Sequence, residues 1–362
     1  MIRRNAFASA LFGAAAQKEG EMKQILLAMV LWMLCAEAGH AQYAVIGKDT
    51  IPAEVETAYV NGLKFLVSTQ KADGSWGDQG PYGQHPAVVG VAVLAMLAHG
   101  DDPDVGPYKD AILRGIRFII GRSNTQTGQI DSQQWPTMYN HGFATLALAE
   151  AYGVVDEPLI GPTLQRAIDF LMASQKRNAL GAWRYKAEST DADTTVAGAQ
   201  MVGLFAARNA GLNVPDEVIE KGLKFYKSCQ DGNGSVGYMA GGGGGGGLKT
   251  TTAIGVLVYT LARQKETPFY RAAAGFFKSN QSSTGMLYYH EYYAAQAAFH
   301  CDEATWQAWN AANIQRMIRM QDSGGGWSGG TVDSSKPGVT FSTAGALLSL
   351  ALNYRYLPIY ER

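Results

Sequence analysis

The sequence predicts an all-α single domain in which six outer and six inner helices close into a ring. Three observations lead there. A helical unit that ends on Gln and turns through Gly recurs down the chain. Each copy is followed by a second helix that is apolar nearly all round. Strand-type alternation and Asn-Gly hairpin signals are nearly absent.

The first unit, NGLKFLVSTQKADGSWG from Asn61, places Val55, Tyr59, Leu63 and Leu66 at helical spacing. One stripe of that helix therefore faces a buried neighbour. Related copies begin at Ala167, Gly222, Gly275 and Ile314, and a worn one, GIRFIIGRSNTQTGQI, begins at Gly115. Their Gln-type positions are Gln70, Asn124, Gln175, Gln230, Gln281 and Gln321. A period of roughly fifty residues is the range in which internal repeats decide the fold. The intervening helices are HPAVVGVAVLAMLAHG from His85, YNHGFATLALAEAYG from Tyr139, DTTVAGAQMVGLFAARNAG from Asp193, KTTTAIGVLVYTLAR from Lys249, YYHEYYAAQAAFHC from Tyr288 and VTFSTAGALLSLALNY from Val339. Helices apolar on every side are buried on every side, so these form the inner layer. Ends that meet need no polar capping repeat, and none is evident. In each unit the Gln is expected to satisfy backbone groups at a helix end. The Gly allows the turn, and Trp76, Trp183, Tyr238 or Trp327 plugs the seam.

From Met22 the chain reads MKQILLAMVLWMLCAEAGHAQ, a lysine, an apolar run and a small-x-small stretch. That is the layout of a secretory signal peptide over 22–41, cleaved after Ala41, and the run is too short for a stable membrane span. Residues 1–21 read as a mis-assigned N-terminal extension: Lys18-Glu19-Gly20-Glu21 is encodable by a purine-rich ribosome-binding sequence. Residues 42–50 form a linker, and 51–362 the ring. Export places the protein in the periplasm or outside the cell. Without residues 1–41 the chain holds 26 Lys/Arg against 28 Asp/Glu and no basic run, which excludes nucleic acid as an electrostatic partner. Cys229 and Cys301 fall in helices of different repeats and are expected to be buried free thiols.

The run of Gln, short spacer, Gly and aromatic resembles the QW-type repeats of the squalene-hopene cyclase and protein prenyltransferase superfamily, over nearly everything after the signal peptide. The chain is similar above all to the exported, stand-alone prenyltransferase/squalene oxidase repeat proteins of bacteria, which share segments like YNHGFATLALAEAYG and YRYLPIYER. The resemblance implies an (α/α)6 toroid and, for a ligand, an apolar or isoprenoid-like small molecule; it assigns no reaction.

If outer and inner helices alternate in direction, every inner helix begins at one mouth. There stand His85, His141, Asp191, Asp193, Lys249, Thr251, His290, Glu291 and Thr340. Six helix N-termini add a positive local field. Asp193, in Asp191-Ala192-Asp193-Thr194, matches the central acid of the cyclases' Asp-x-Asp-Asp, with Thr194 replacing the last Asp; the other reading is an N-cap. His141 and His290 are either acid–base groups or buried core histidines. Tyr289, Trp135 and Tyr139 are candidates for an aromatic lining, and Asp193 with Glu291 for a carboxylate pair. The prenyltransferase zinc set is missing, since KTTTAIG supplies neither Asp nor Cys, so neither metal nor cofactor is expected. Gly241 to Gly247 reads as a flexible loop rather than a phosphate loop. Three functions stay open: a binding protein for an apolar ligand in the central funnel; an enzyme, either a cyclase-like acid catalyst or a carbohydrate-active one; and a structural or protein-interaction module with a filled centre.

Overall fold

The computed structural model describes residues 51–77, 84–131, 137–241, 248–282, 286–329 and 337–360. The proposed extension, signal peptide and linker, Trp135 and Gly242–Gly247 lie outside the described residues.

Among the described residues the regular structure is helical, with isolated bridges only at three of the repeat turns. The outer helices are α1 (Ala53–Thr69), α3 (Lys109–Gly121), α5 (Ile160–Arg177), α7 (Asp216–Ser228), α9 (Pro268–Ser279) and α11 (Glu303–Met320). The inner helices are α2 (Pro86–Leu97), α4 (Thr137–Ala151), α6 (Thr194–Asn209), α8 (Leu248–Leu261), α10 (Leu287–Cys301) and α12 (Val339–Leu350). Two 3-10 turns follow, Ala351–Asn353 and Pro358–Tyr360.

The inner layer follows from composition. Every residue from Val88 to Ala98 of the first inner helix is buried, whereas α1 buries one stripe, Val55, Ala58, Tyr59, Leu63 and Leu66 among it. Each inner helix packs on the next, and α12 packs on α2, so the ring closes. Small residues permit the approach: a Cβ on Gly90 would lie 2.9 Å from the Phe143 carbonyl oxygen, and one on Gly345 3.1 Å from that of Tyr288. Neighbouring inner helices approach at similar depths, Gly198 of α6 against Ile254 of α8 and Gly203 of α6 against Leu146 of α4, so they run in parallel.

The repeat unit fastens one outer helix to the next. Nε2 of Gln70 donates to the Gly74 carbonyl in its own turn at 3.2 Å and to the Ala111 carbonyl of α3 at 3.0 Å. Gln175 reaches Val218 of α7 at 2.8 Å, and Gln230 reaches Phe269 of α9 at 2.9 Å. Gln321 closes the circle, donating to Ala58 of α1 at 2.8 Å. The Gln amide, expected to satisfy backbone groups at a helix end, instead bridges its own turn to a carbonyl on the neighbouring outer helix. Gly74, Gly128, Gly234 and Gly325 have φ of +87°, +80°, +91° and +88°, and a Cβ on any of them would come within 2.4 Å of a carbonyl oxygen on the next outer helix. Only glycine meets both demands.

Trp76, Trp183 and Trp327 are buried plugs whose indole N–H groups donate to the carbonyls of Leu66, Leu171 and Met317 at 2.9, 3.1 and 2.9 Å. In the fourth unit the plug is Val236, not Tyr238; Val236 bridges Gln230 as Trp76 bridges Gln70, while Tyr238 is only half-buried. Both described cysteines are free, but Cys301 is half-buried rather than buried.

Candidate functional site

The order of the ring sets α4 diametrically opposite α10. Tyr139 and Tyr289, each third in its helix, approach each other across the axis, near enough for each ring to feel the other's charge. One turn deeper the Phe143 and Tyr292 rings stand 6.3 Å apart between centroids, and the Tyr293 ring lies 4.7 Å from that of Tyr292. At the far end Tyr360 is buried in the closing 3-10 turn, which packs on α6. The first two helical turns along this diameter are therefore bridged by aromatic rings. The mouth at the N-terminal ends of the inner helices is a cup with tyrosine rings at its floor.

Asp193 is the polar centre of the cup's wall. It is fully buried and caps α6: Oδ1 accepts from the backbone N–H of Thr195 at 2.9 Å and of Val196 at 2.8 Å, and from the Thr195 hydroxyl at 2.6 Å. Its Oδ2 accepts from Arg184 Nη1 at 3.1 Å. Burial raises its pKa; Thr195, Val196 and Arg184 pull the other way. Asp191 is exposed and pairs with Arg184 Nε at 3.2 Å. The rings of Tyr185 and Tyr238 flank the same guanidinium, their centroids 4.7 and 5.2 Å from its carbon. Tyr139 joins this wall through a 2.6 Å hydrogen bond to the Thr195 hydroxyl.

Other residues expected at the mouth turn away from it. His141 is buried against Phe170 of α5; its Nδ1 accepts from the Ile130 N–H at 3.0 Å and its Nε2 donates to the Ala167 carbonyl at 3.0 Å. It spans the worn second turn and the next outer helix, the task Gln performs elsewhere. His290 is held in the same manner, between the Thr250 hydroxyl and the Gln281 carbonyl at 2.9 Å each. Burial pushes both histidines down to about 4, so at neutral pH they are uncharged and internally bonded. Glu291 faces outward to Arg316 of α11 at 3.0 Å, and its burial raises it to about 7. It does not form a pair with Asp193. His85 is buried beside Asn140, 3.3 Å from Nδ1 to Nδ2. Lys249 donates to the Ser282 hydroxyl at 2.8 Å. Among the described residues no group of His, Cys, Asp and Glu is arranged to hold a metal ion, and no helix is long and apolar enough to cross a membrane.

Arg184, Tyr185, Tyr238 and Thr195 are the site residues that motif reasoning missed. Their signal was positional: Tyr185 and Tyr238 each follow a plug, Trp183 or Val236, by two residues, where the chain leaves the seam for the mouth.

No family model and no curated protein matches the chain. Solved structures do. A variant of type II terpene cyclase MstE from Scytonema, in complex with merosterolic acid A, has a TM-score of 0.57 at 15% identity, over 84% of this chain and 98% of that one. An alpha-1,6-mannanase from Salegentibacter sp. has a TM-score of 0.57 at 8% identity, over 82% and 98%. A protein from Actinoplanes has 0.52 at 16% identity, over 83% and 99%. The cyclase and the mannanase are α/α-toroid enzymes, and the likeness places this chain in the same all-helical toroid fold. Two such different chemistries on one scaffold mean that the fold does not choose between them.

Proposed function

We propose that this is an exported, QW-repeat-type toroid that binds the apolar, isoprenoid-like part of a small molecule in the cup at the N-terminal ends of its inner helices. The observation that carries the reading is the meeting of Tyr139 and Tyr289. They are half-buried where the residues beneath them, Phe143, Tyr292 and Tyr293, are buried, so the cup presents aromatic rings with two phenolic hydroxyls at its floor and, among the described residues, the charged Arg184 and Asp193 on its wall. That distribution suits an amphipathic ligand. One toroid neighbour, MstE, is described in complex with geranylgeranyl dihydroxybenzoate, which is compatible with an isoprenoid-like guest.

Binding is favoured over acid catalysis because both oxygens of Asp193 are engaged by donors, Arg184 among them, leaving no carboxylic proton aimed at the axis. Native mass spectrometry of the protein purified from its own periplasm tests the reading. A co-purifying amphipathic molecule that is lost in Tyr139→Ala with Tyr289→Ala supports it; retention of the same molecule by that folded double variant rejects the cup as the site.

A further inference from the structure

The hydrogen bonds behind Tyr139 have a fixed direction. Oδ1 of Asp193 accepts two backbone N–H groups and the Thr195 hydroxyl, at 2.6 Å for the last. The single proton of the Thr195 hydroxyl is thereby committed to the carboxylate. Thr195 then acts as acceptor toward Tyr139, 2.6 Å away, so the phenolic proton of Tyr139 points into the wall. What Tyr139 turns to the axis is the remaining lone-pair density of its oxygen, polarised through Thr195 by the buried carboxylate.

The cation of the cup's wall, Arg184, is paired as well. Arg184 gives Nε to Asp191 and Nη1 to Asp193, and its guanidinium carbon lies 4.7 and 5.2 Å from the ring centroids of Tyr185 and Tyr238. Lys249 donates to Ser282. An anionic head group would meet a guanidinium already paired with two carboxylates, and an inward-facing acceptor.

From this geometry we infer that the polar end of the ligand is a hydrogen-bond donor, a hydroxyl or an ammonium, received by the phenolic oxygen of Tyr139, and not a carboxylate or phosphate. The inference rests on the apolar-cup reading and adds the chemistry of the head group. Tyr139 is the specificity-determining contact, and Thr195 positions it.

Calorimetric titration with decanol, decylammonium and decanoate at neutral pH separates the two levels. Decanol and decylammonium are expected to bind about tenfold or more tightly than decanoate, the scale of one hydrogen bond to a polarised acceptor. Tyr139→Phe and, independently, Thr195→Val are each expected to lower decanol affinity by about tenfold and leave decanoate unchanged. Equal affinities for the three probes, or tightest binding of decanoate, overturn the donor assignment while the apolar cup stands. Binding of none of them removes the cup reading and the assignment together.

Discussion

Replacing Gly325 by Ala strikes the seam where the sixth unit meets the first. Gly325 holds φ +88°, and a Cβ there would lie 2.4 Å from the Asn61 carbonyl oxygen and 2.9 Å from its carbon, both on the backbone of α1. Gly211, at the end of α6, provides the control, with φ +87° and nothing within 4 Å of an added Cβ. Both substitutions carry the left-handed backbone cost, about 1–2 kcal/mol. Only Gly325→Ala also forces the sixth turn off α1, adding about 1–3 kcal/mol for overpacking and weakening the Gln321 bond to Ala58 by about 1 kcal/mol. Urea unfolding of the two variants reads the difference directly. Gly325→Ala is expected to lose about 2–4 kcal/mol more than Gly211→Ala. Equal losses would mean that the sixth turn does not rest on the first outer helix, and the closed ring would fall with it.

The pH profile of stability should have a maximum near about pH 6.5. His141 and His290 have folded pKa values of about 4, below the ordinary 6.5, so the unfolded chain binds more protons between these limits and stability falls as the pH drops through them. The loss is at most about 3 kcal/mol per histidine. Glu291, at about 7 against 4.5, has the opposite sign and loses stability as the pH rises through that interval. Urea midpoints at pH 5, 6.5 and 8 check this, and His141→Gln should flatten the acid limb. Asp193→Ala removes the cap of α6 and leaves Arg184 with Asp191 alone, for a loss of about 2–4 kcal/mol in the same assay. Burial holds Cys229 up at about 12 and Cys301 at about 11, so in protein lacking residues 1–41 a thiolate-directed reagent at pH 8 should label neither quickly and both after unfolding.

Much of the fold was legible in the sequence because the repeat has a mechanical task at each copy. Gln and Gly at Gln70–Gly74, Gln230–Gly234 and Gln321–Gly325 are needed wherever one turn touches the next helix, so their spacing reports the ring. Where another side chain took over the task the pattern faded, as at His141 and at Val236. The site was harder to read, since standing in the first turn of an inner helix does not say which way a side chain points. Successive residues rotate by about 100°, so Tyr139 and His141, or Tyr289 and Glu291, face nearly opposite sides. The tyrosines look to the axis and the other two to the outer layer. The i, i+4 pairs Tyr139–Phe143 and Tyr289–Tyr293 carried that azimuth in the sequence, and both ends of each pair do lie on the axial face. Arg184 escaped notice because its role depends on Asp191 and Asp193, brought to it by a loop with no helical period.

Hydrogen–deuterium exchange of the protein with and without its co-purified ligand tests the cup most directly. Protection on binding should fall on 137–143, 183–196 and 286–293, the segments that form the floor and the wall. Protection centred instead on the far end of the ring, at 98–108, 150–160 and 351–360, would contradict it.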